Sequence, residues 1–294
     1  MSPKQLLIIS FSLFCLSISA SPQLPDYLIF EGDTVPVYYL LLEQYLVQNG
    51  IEDQGSLFGL KFREGATSFN CWRGYQAIYT IDNDSLFLLD IIDCWELNDD
   101  GEIDRDKSKG KLRDIFGEEV VNDRVYIEWY SGNIGIPSGN LLRWDGVFFR
   151  LFEKERVIKI RDGKIQSVKD VSNYIDTQKG IDRRYGDTVS NVLFEELKKV
   201  KWKDIEKFDC SEQYYITIGK DGKVSHVSMA TYQTKEEIKE AWDGNEYNYC
   251  IRTISKALKD LKFDIIKREG EPIEEQVYLE IWLEDDGTLE NWTN

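Results

Sequence analysis

A single histidine, His226, stands among the 294 residues. Its scarcity excludes a His-rich metal site and leaves at most one Ser-His or Cys-His arrangement. Proline is rare too, at 6 residues, so no Pro-rich spacer divides the chain. The 5 cysteines include no Cys-x-x-Cys pair, which removes thioredoxin-like redox chemistry and the usual zinc spacings. Basic charge is in deficit, with 36 Lys and Arg against 53 Asp and Glu and a formal charge of −17. Such a chain repels phosphate backbones and anionic lipid, so no nucleic acid partner is expected. Beyond the N-terminal segment, no apolar run approaches the roughly 20 residues of a spanning helix.

What is present begins with Lys4, an apolar run from Leu6 to Leu16, and the small residues Ser17, Ser19 and Ala20. This is the pattern of a secretory signal peptide over residues 1–20, cleaved after Ala20. Membrane association is expected only if that segment stays uncleaved. Cys15 lies inside the apolar run and lacks the small neighbours of a lipidation site. The remaining cysteines, Cys71, Cys94, Cys210 and Cys250, are even in number and suit an oxidising compartment. Three connectivities are open. Two β-rich runs, Tyr75 to Ile81 and Leu86 to Ile92, flank a turn at Asp82 to Ser85, and folding that hairpin sets Cys71 opposite Cys94. Cys210 then pairs with Cys250.

Aperiodic polar stretches and Gly-containing turns divide the rest. A helix is expected between Asp33 and Gly50, with Pro36 in its first turn and Leu41, Leu42, Tyr45 and Leu46 on one face. Strands follow at Leu57 to Phe62, in the disulfide hairpin, and at Val125 to Tyr130, Asn140 to Phe152, Arg156 to Ile160 and Ile165 to Val168. Asp170 to Asp187 reads as a linker, with a domain boundary near residue 182. Beyond it come a helix from Thr188 to Val200, a hairpin of Tyr214 to Gly219 with Val224 to Met229, and a charged segment from Thr234 to Asp243. A helix from Tyr249 to Phe263 and a last strand from Gln276 to Leu283 end the order. The fold class is α+β.

Three pieces of this second part carry a resemblance: Tyr215-Ile216-Thr217-Ile218-Gly219-Lys220-Asp221-Gly222-Lys223-Val224, then Ala257 to Phe263, then Gly270-Glu271-Pro272-Ile273 leading into Val277 to Ile281. The arrangement resembles the C-terminal domain of TonB. The runs of β-branched and aromatic residues make 21–182 a β-rich domain with a short helix, and over 183–294 the resemblance implies a TonB-C-like domain with helices on a small antiparallel sheet. The acidic insert Lys235 to Asp243 and Asp264-Ile265 after the second helix depart from the family pattern, and energy transduction does not carry over. The first domain resembles exported bacterial proteins of unknown function, through Trp129-Tyr130-Ser131-Gly132 and Ile136-Pro137-Ser138-Gly139.

Several constellations invite chemistry. Glu96, Asn98, Asp100, Gly101, Ile103 and Asp104 match an EF-hand-like loop, but Lys107 occupies the position of the bidentate carboxylate. The loop is expected to be an acidic turn. Asp-Gly pairs beginning at Asp100, Asp145, Asp162, Asp221, Asp243 and Asp286 are turn chemistry. His226 sits in a strand with Ser225 and Ser228 and no nucleophile elbow. Glu128, beside Trp129, is the nominee for a glycosidase-like pair.

The sequence therefore points to a non-catalytic binding protein, exported to the periplasm or beyond the cell, without metal or cofactor. The expected partner is a protein that adds a strand to an edge formed by Gln276, Val277, Tyr278, Leu279, Glu280, Ile281, Trp282 and Leu283. An exported inhibitor or immunity-type protein steered to a basic enzyme is the alternative. A hydrolase is the third class and requires a pocket that gathers two carboxylates.

Overall fold

The computed structural model describes residues 22–50, 70–94, 96–97, 103–203, 205, 207–232 and 234–293. The signal peptide expected over residues 1–20 and the strand expected at Leu57 to Phe62 lie outside the described residues. The described chain begins with a hairpin of β1 (Asp26–Phe30) and β2 (Asp33–Val37), turned by Glu31 and Gly32 at positive φ. This corrects the helix expected from Asp33. Thr34, Val35 and Val37 are β-branched and fit a pleated surface, and Pro36 is tolerated because β2 ends its sheet. The helix begins only at α1 (Leu41–Gln48), where Leu41, Leu42 and Leu46 are buried.

The disulfide hairpin forms as expected from β3 (Gln76–Asp82) and β4 (Ser85–Ile92), with Asn83 and Asp84 turning it at positive φ. Then comes α2 (Arg105–Phe116), for which no helix was expected because polar residues dominate its sequence. Asp104 caps it by accepting from the Lys107 N–H at 3.0 Å, and Leu112 and Phe116 anchor it. After a 3-10 turn come β5 (Val120–Val121) and β6 (Arg124–Tyr126), so only the start of the expected Val125 to Tyr130 strand is paired. The run Asn140 to Phe152 is divided at Asp145-Gly146 between β7 (Gly132–Trp144) and β8 (Arg150–Arg161). β9 (Lys164–Ser172) returns through Asp162-Gly163 as expected.

These nine strands share one sheet, its path β2-β1-β3-β4-β9-β8-β7 with β6 and β5 off β4. A single residue pair, Ser85 with Lys164, joins β4 to β9. The two halves thus fold over a common core in which Leu28, Tyr79 and Leu88 meet Ile134, Ile158 and Ile160, sealed by Leu42 and Leu112 of the helices.

The stretch expected as a linker is strand and anchored loop. Its β10 (Tyr174–Ile175) pairs with a strand near residue 265 in the second part. The chain continues through α3 (Gly186–Leu197), β11 (Glu212–Ile218), β12 (Val224–Met229), α4 (Lys235–Ala241), α5 (Gly244–Leu258), β13 (Ile265–Arg268), β14 (Glu271–Pro272), β15 (Glu275–Leu283) and β16 (Leu289–Asn291). Helix α5 begins and ends about a turn earlier than expected. Asp243 starts it by accepting from the Asn245 and Glu246 N–H groups at 2.9 and 3.3 Å, so this Asp-Gly is a cap rather than a turn.

One sheet has the order β12-β11-β15-β16, and a second, of three strands, the order β10-β13-β14. The inner face of the four-stranded sheet buries Tyr214, Ile216, Leu279 and Ile281 against Leu193 and Leu197 of α3 and Ile254 and Leu258 of α5. Gly222 is required in the β11–β12 turn: its φ is +77°, and a Cβ would lie 2.3 Å from the Phe263 carbonyl oxygen. The class is α+β, rich in strands, with five α-helices among the described residues.

Candidate functional site

Both cysteine pairs are disulfides. Cys71 joins Cys94 across a Cα–Cα distance of 6.2 Å, and Cys210 joins Cys250 across 5.5 Å. The first ties the open end of the β3–β4 hairpin; the second ties the entry of β11 to α5. Among the described residues, no helix is long and apolar enough to cross a membrane.

The strand expected at a sheet edge is only partly open. β15 is flanked by β11 along its length, from Glu212 opposite Ile281 to Ile218 opposite Glu275. On its other side β16 pairs Ile281, Trp282 and Leu283 with Asn291, Glu290 and Leu289. Glu280 is closed as well, its N–H bonded to Thr293 Oγ1 and its carbonyl to the Trp292 N–H, both at 2.9 Å. The expectation of an edge over all of Gln276 to Leu283 is therefore corrected: Glu280 to Leu283 are covered, because the chain turns at Asp286-Gly287 and lays a further strand on them. Among the described residues, no strand pairs with the outer side of Glu275 to Leu279. Since backbone groups alternate in direction along a strand, the residues in phase with Glu280, namely Gln276 and Tyr278, present their N–H and C=O outward.

Beside this half-edge lies a groove of about 320 Å³. The first turns of α3 form one wall, Gln276 to Tyr278 the other, and Arg143, Arg183 and Glu275 its end. Glu275 receives two arginines: Arg143 through Nε at 2.7 Å and Nη2 at 2.9 Å, and Arg183 through Nη2 at 2.6 Å. Arg183 is only 1% exposed; its Nη1 donates to the Asp264 carbonyl at 3.1 Å, while its Nε has no partner among the described residues. Burial lowers its pKa, opposed by the Glu275 carboxylate. The backbone N–H groups at the start of α3 have no side-chain cap. Helix, arginines and open strand edge thus converge on one groove, an arrangement that can take an extended main chain.

The outer face of the same sheet carries aromatic rings. Tyr215 and Tyr278 meet edge to face at 6.1 Å, and Trp282 and Trp292 stack at 5.4 Å. Burial, followed by its hydrogen bond to Glu280, raises the pKa of Tyr278.

The other sequence nominees are placed apart. Glu128 is exposed, and His226 is exposed on β12 opposite Thr217. Of the calcium-like loop, Asn98, Asp100 and Gly101 lie outside the described residues. Glu96 there accepts from the Asp93 and Asp104 N–H groups at 2.8 and 2.7 Å, and Lys107 pairs with Asp93. No cluster of metal ligands occurs among the described residues. Trp129 and Tyr130 are structural: Trp129 donates to the Leu41 carbonyl at 2.9 Å, and Tyr130 to the Asn133 carbonyl at 2.7 Å.

Carboxylates gather in several places among the described residues: Asp182 and Asp264 share the Tyr174 hydroxyl at 2.8 and 2.9 Å, Glu31 and Asp170 share Arg156, and there are two further pairs. Asp26 and Glu43 both bind Arg73, which is 2% exposed and lies 5.0 Å from the Tyr75 ring centroid, so this pair is an internal ion cluster. The other pair, Glu155 and Glu269, lines a cleft in the first sheet. No residue of that cleft stood out in sequence; its parts come from three separate stretches, at 38–39, 135–155 and 268–269. The chain matches no family model, no curated protein and no solved structure.

Proposed function

We propose that this protein is an exported binding protein that captures an extended peptide segment of a partner by strand addition at Gln276 and Tyr278. The observation that carries the reading is the half-open edge of β15 beside the α3 groove. Main-chain hydrogen bonds to the outward groups of Gln276 and Tyr278 supply affinity, and the groove receives alternate side chains. The peptide would extend the line of β16, entering where Thr293 closes on Glu280. The reading of the second part as a TonB-like module rests on the sequence pattern given above. Export, to the periplasm or beyond, is supported by the two disulfides and the leader-like sequence at residues 1–20.

The test is selection of extended peptides from a random displayed library on the full chain, followed by titration against Gln276→Pro. Proline removes one outward N–H, is tolerated in an edge position, and leaves the β11 side unaltered. Binding weakened at least about tenfold, the worth of one well-made hydrogen bond in a desolvated site, supports strand addition. Unchanged binding of every selected peptide overturns it.

A further inference from the structure

A cleft of about 200 Å³ opens between β7, the first half of β8 and the β13–β14 turn. At about 30 Å³ per water it has room for one small molecule and not for a peptide chain. Glu155 forms its floor and is 7% exposed. Its Oε2 accepts from the neutral amide of Asn173 at 2.6 Å, and Asn173 is itself fully buried. Its Oε1 converges with the Tyr39 hydroxyl on Gly135, where a Cβ would sit 3.0 Å from the carboxylate and 3.1 Å from the phenol. Glycine at 135 keeps that space clear.

The wall and mouth carry three further charges. Arg150 is half-buried, with its guanidinium 4.1 Å from the Tyr38 ring centroid; Arg268 lies 4.1 Å from that of Phe149. Glu269, exposed at the mouth, is held by the neutral amide of Asn133. Among the described residues neither arginine has a carboxylate within ion-pair distance, and neither carboxylate has a basic partner. Elsewhere in the protein Arg73, Arg143, Arg156, Arg183 and Arg184 each bind one or more carboxylates. Two anions and two cations thus surround one aromatic-walled cavity with no contact ion pair between them, the Arg268 charge acting on Glu155 only through space.

From this geometry we infer that the cleft binds a free α-amino acid with an apolar or aromatic side chain. The ammonium group meets Glu155 and Glu269, the carboxylate meets Arg150 and Arg268, and the side chain lies against Phe149 and Phe152. A diacid or a diamine would face two like charges, and a sugar would hydrogen-bond to the four ions without neutralising any of them. Because Arg268 and Glu269 stand on the β13–β14 turn, the ligand also bridges that turn to β8. The inference is independent of strand addition at β15.

Calorimetric titration and thermal melting of the full chain with each of the twenty amino acids test it. The methyl ester and the N-acetyl form of the tightest-binding amino acid serve as probes that lack one charge, leucine's being the pair used if leucine is that ligand. At least one apolar or aromatic amino acid is expected to bind saturably and raise the melting temperature. The ester and the N-acetyl form are expected to bind at least about tenfold more weakly than the tightest-binding amino acid itself, and Arg268→Gln and Glu155→Gln to bind that amino acid more weakly by the same factor, since a charge-assisted hydrogen bond is worth that factor. Arg268→Gln changes an exposed side chain whose strand pairing with Glu271 is made by the backbone, so the variant is expected to keep the parent's far-UV circular dichroism. Absence of binding by all twenty, or equal binding of the blocked probes, overturns the inference.

Discussion

Arg143 and Glu275 form a two-point ion pair, Nε to Oε1 at 2.7 Å and Nη2 to Oε2 at 2.9 Å, which fastens β7 of the first sheet to the start of β15. Glu275 also neutralises the buried Arg183. Glu275→Ala therefore leaves a buried guanidinium uncompensated and is expected to cost about 3–5 kcal/mol. Arg143→Ala removes a partner that is 24% exposed and is expected to cost about 1 kcal/mol. Urea unfolding of the two variants decides: equal losses would show that Arg183 does not depend on Glu275.

The Cys210–Cys250 bond closes a longer segment than Cys71–Cys94, with a sequence separation of 40 against 23. Replacing both cysteines of the pair by serine is expected to lower stability by about 3–4 kcal/mol for Cys210–Cys250 and slightly less for Cys71–Cys94. Denaturant melts of the two double variants measure it, and peptide mapping without reductant checks the pairing. A crossed pair such as Cys71–Cys210 would contradict the structure.

Burial raises the pKa of the Glu155 carboxyl above its ordinary value of 4.5, and the hydrogen bond from Asn173 only partly opposes this. The folded state thus holds the proton more tightly than the unfolded chain. Its stabilising effect is full below 4.5 and is lost as pH rises through the higher folded value. Glu155→Gln retains a neutral side chain at all pH values, so it is expected to melt above the parent at neutral pH and to match it in acid. A variant that melts lower at neutral pH would show that the ionised carboxylate supports the fold.

Glu153 behaves in the opposite sense. The hydrogen bond from Arg184, at 2.7 Å, holds its pKa below the ordinary 4.5. That contribution is full above 4.5 and is lost as pH falls through the folded value. Glu153→Gln is expected to flatten the acid limb of the stability profile while changing the alkaline limb little. An unchanged acid limb would contradict the pairing.

The parts legible in sequence are those encoded by local rules. The Cys71–Cys94 hairpin, the Asp162-Gly163 and Asp221-Gly222 turns and the core face of α5 follow from turn chemistry and periodicity. Three features escaped because nonlocal packing decides them. Helix α2 has little apolar periodicity and is held by the cap at Asp104 and by Ser108, whose hydroxyl meets the Ile91 N–H at 3.0 Å and the Asp90 carboxylate at 2.9 Å. The stretch from Asp170 to Asp187 is polar, yet Tyr174 and Arg183 in it are buried by partners near Asp264. The short β16 left no strand signal in Leu289-Glu290-Asn291, and its presence confines the open edge of β15 to half its length. The cleft at Glu155 was invisible for the same reason, since Tyr39, Gly135, Glu155 and Glu269 meet only in the folded chain.

Amide hydrogen exchange, resolved residue by residue along β15 with and without a library-selected peptide, tests the central claim most directly. Strand addition predicts that the free protein exchanges quickly at Gln276 and Tyr278 and slowly at Val277 and Leu279, and that the peptide slows Gln276 and Tyr278 selectively. A bound peptide that leaves both amides fast while protecting another surface would contradict the account.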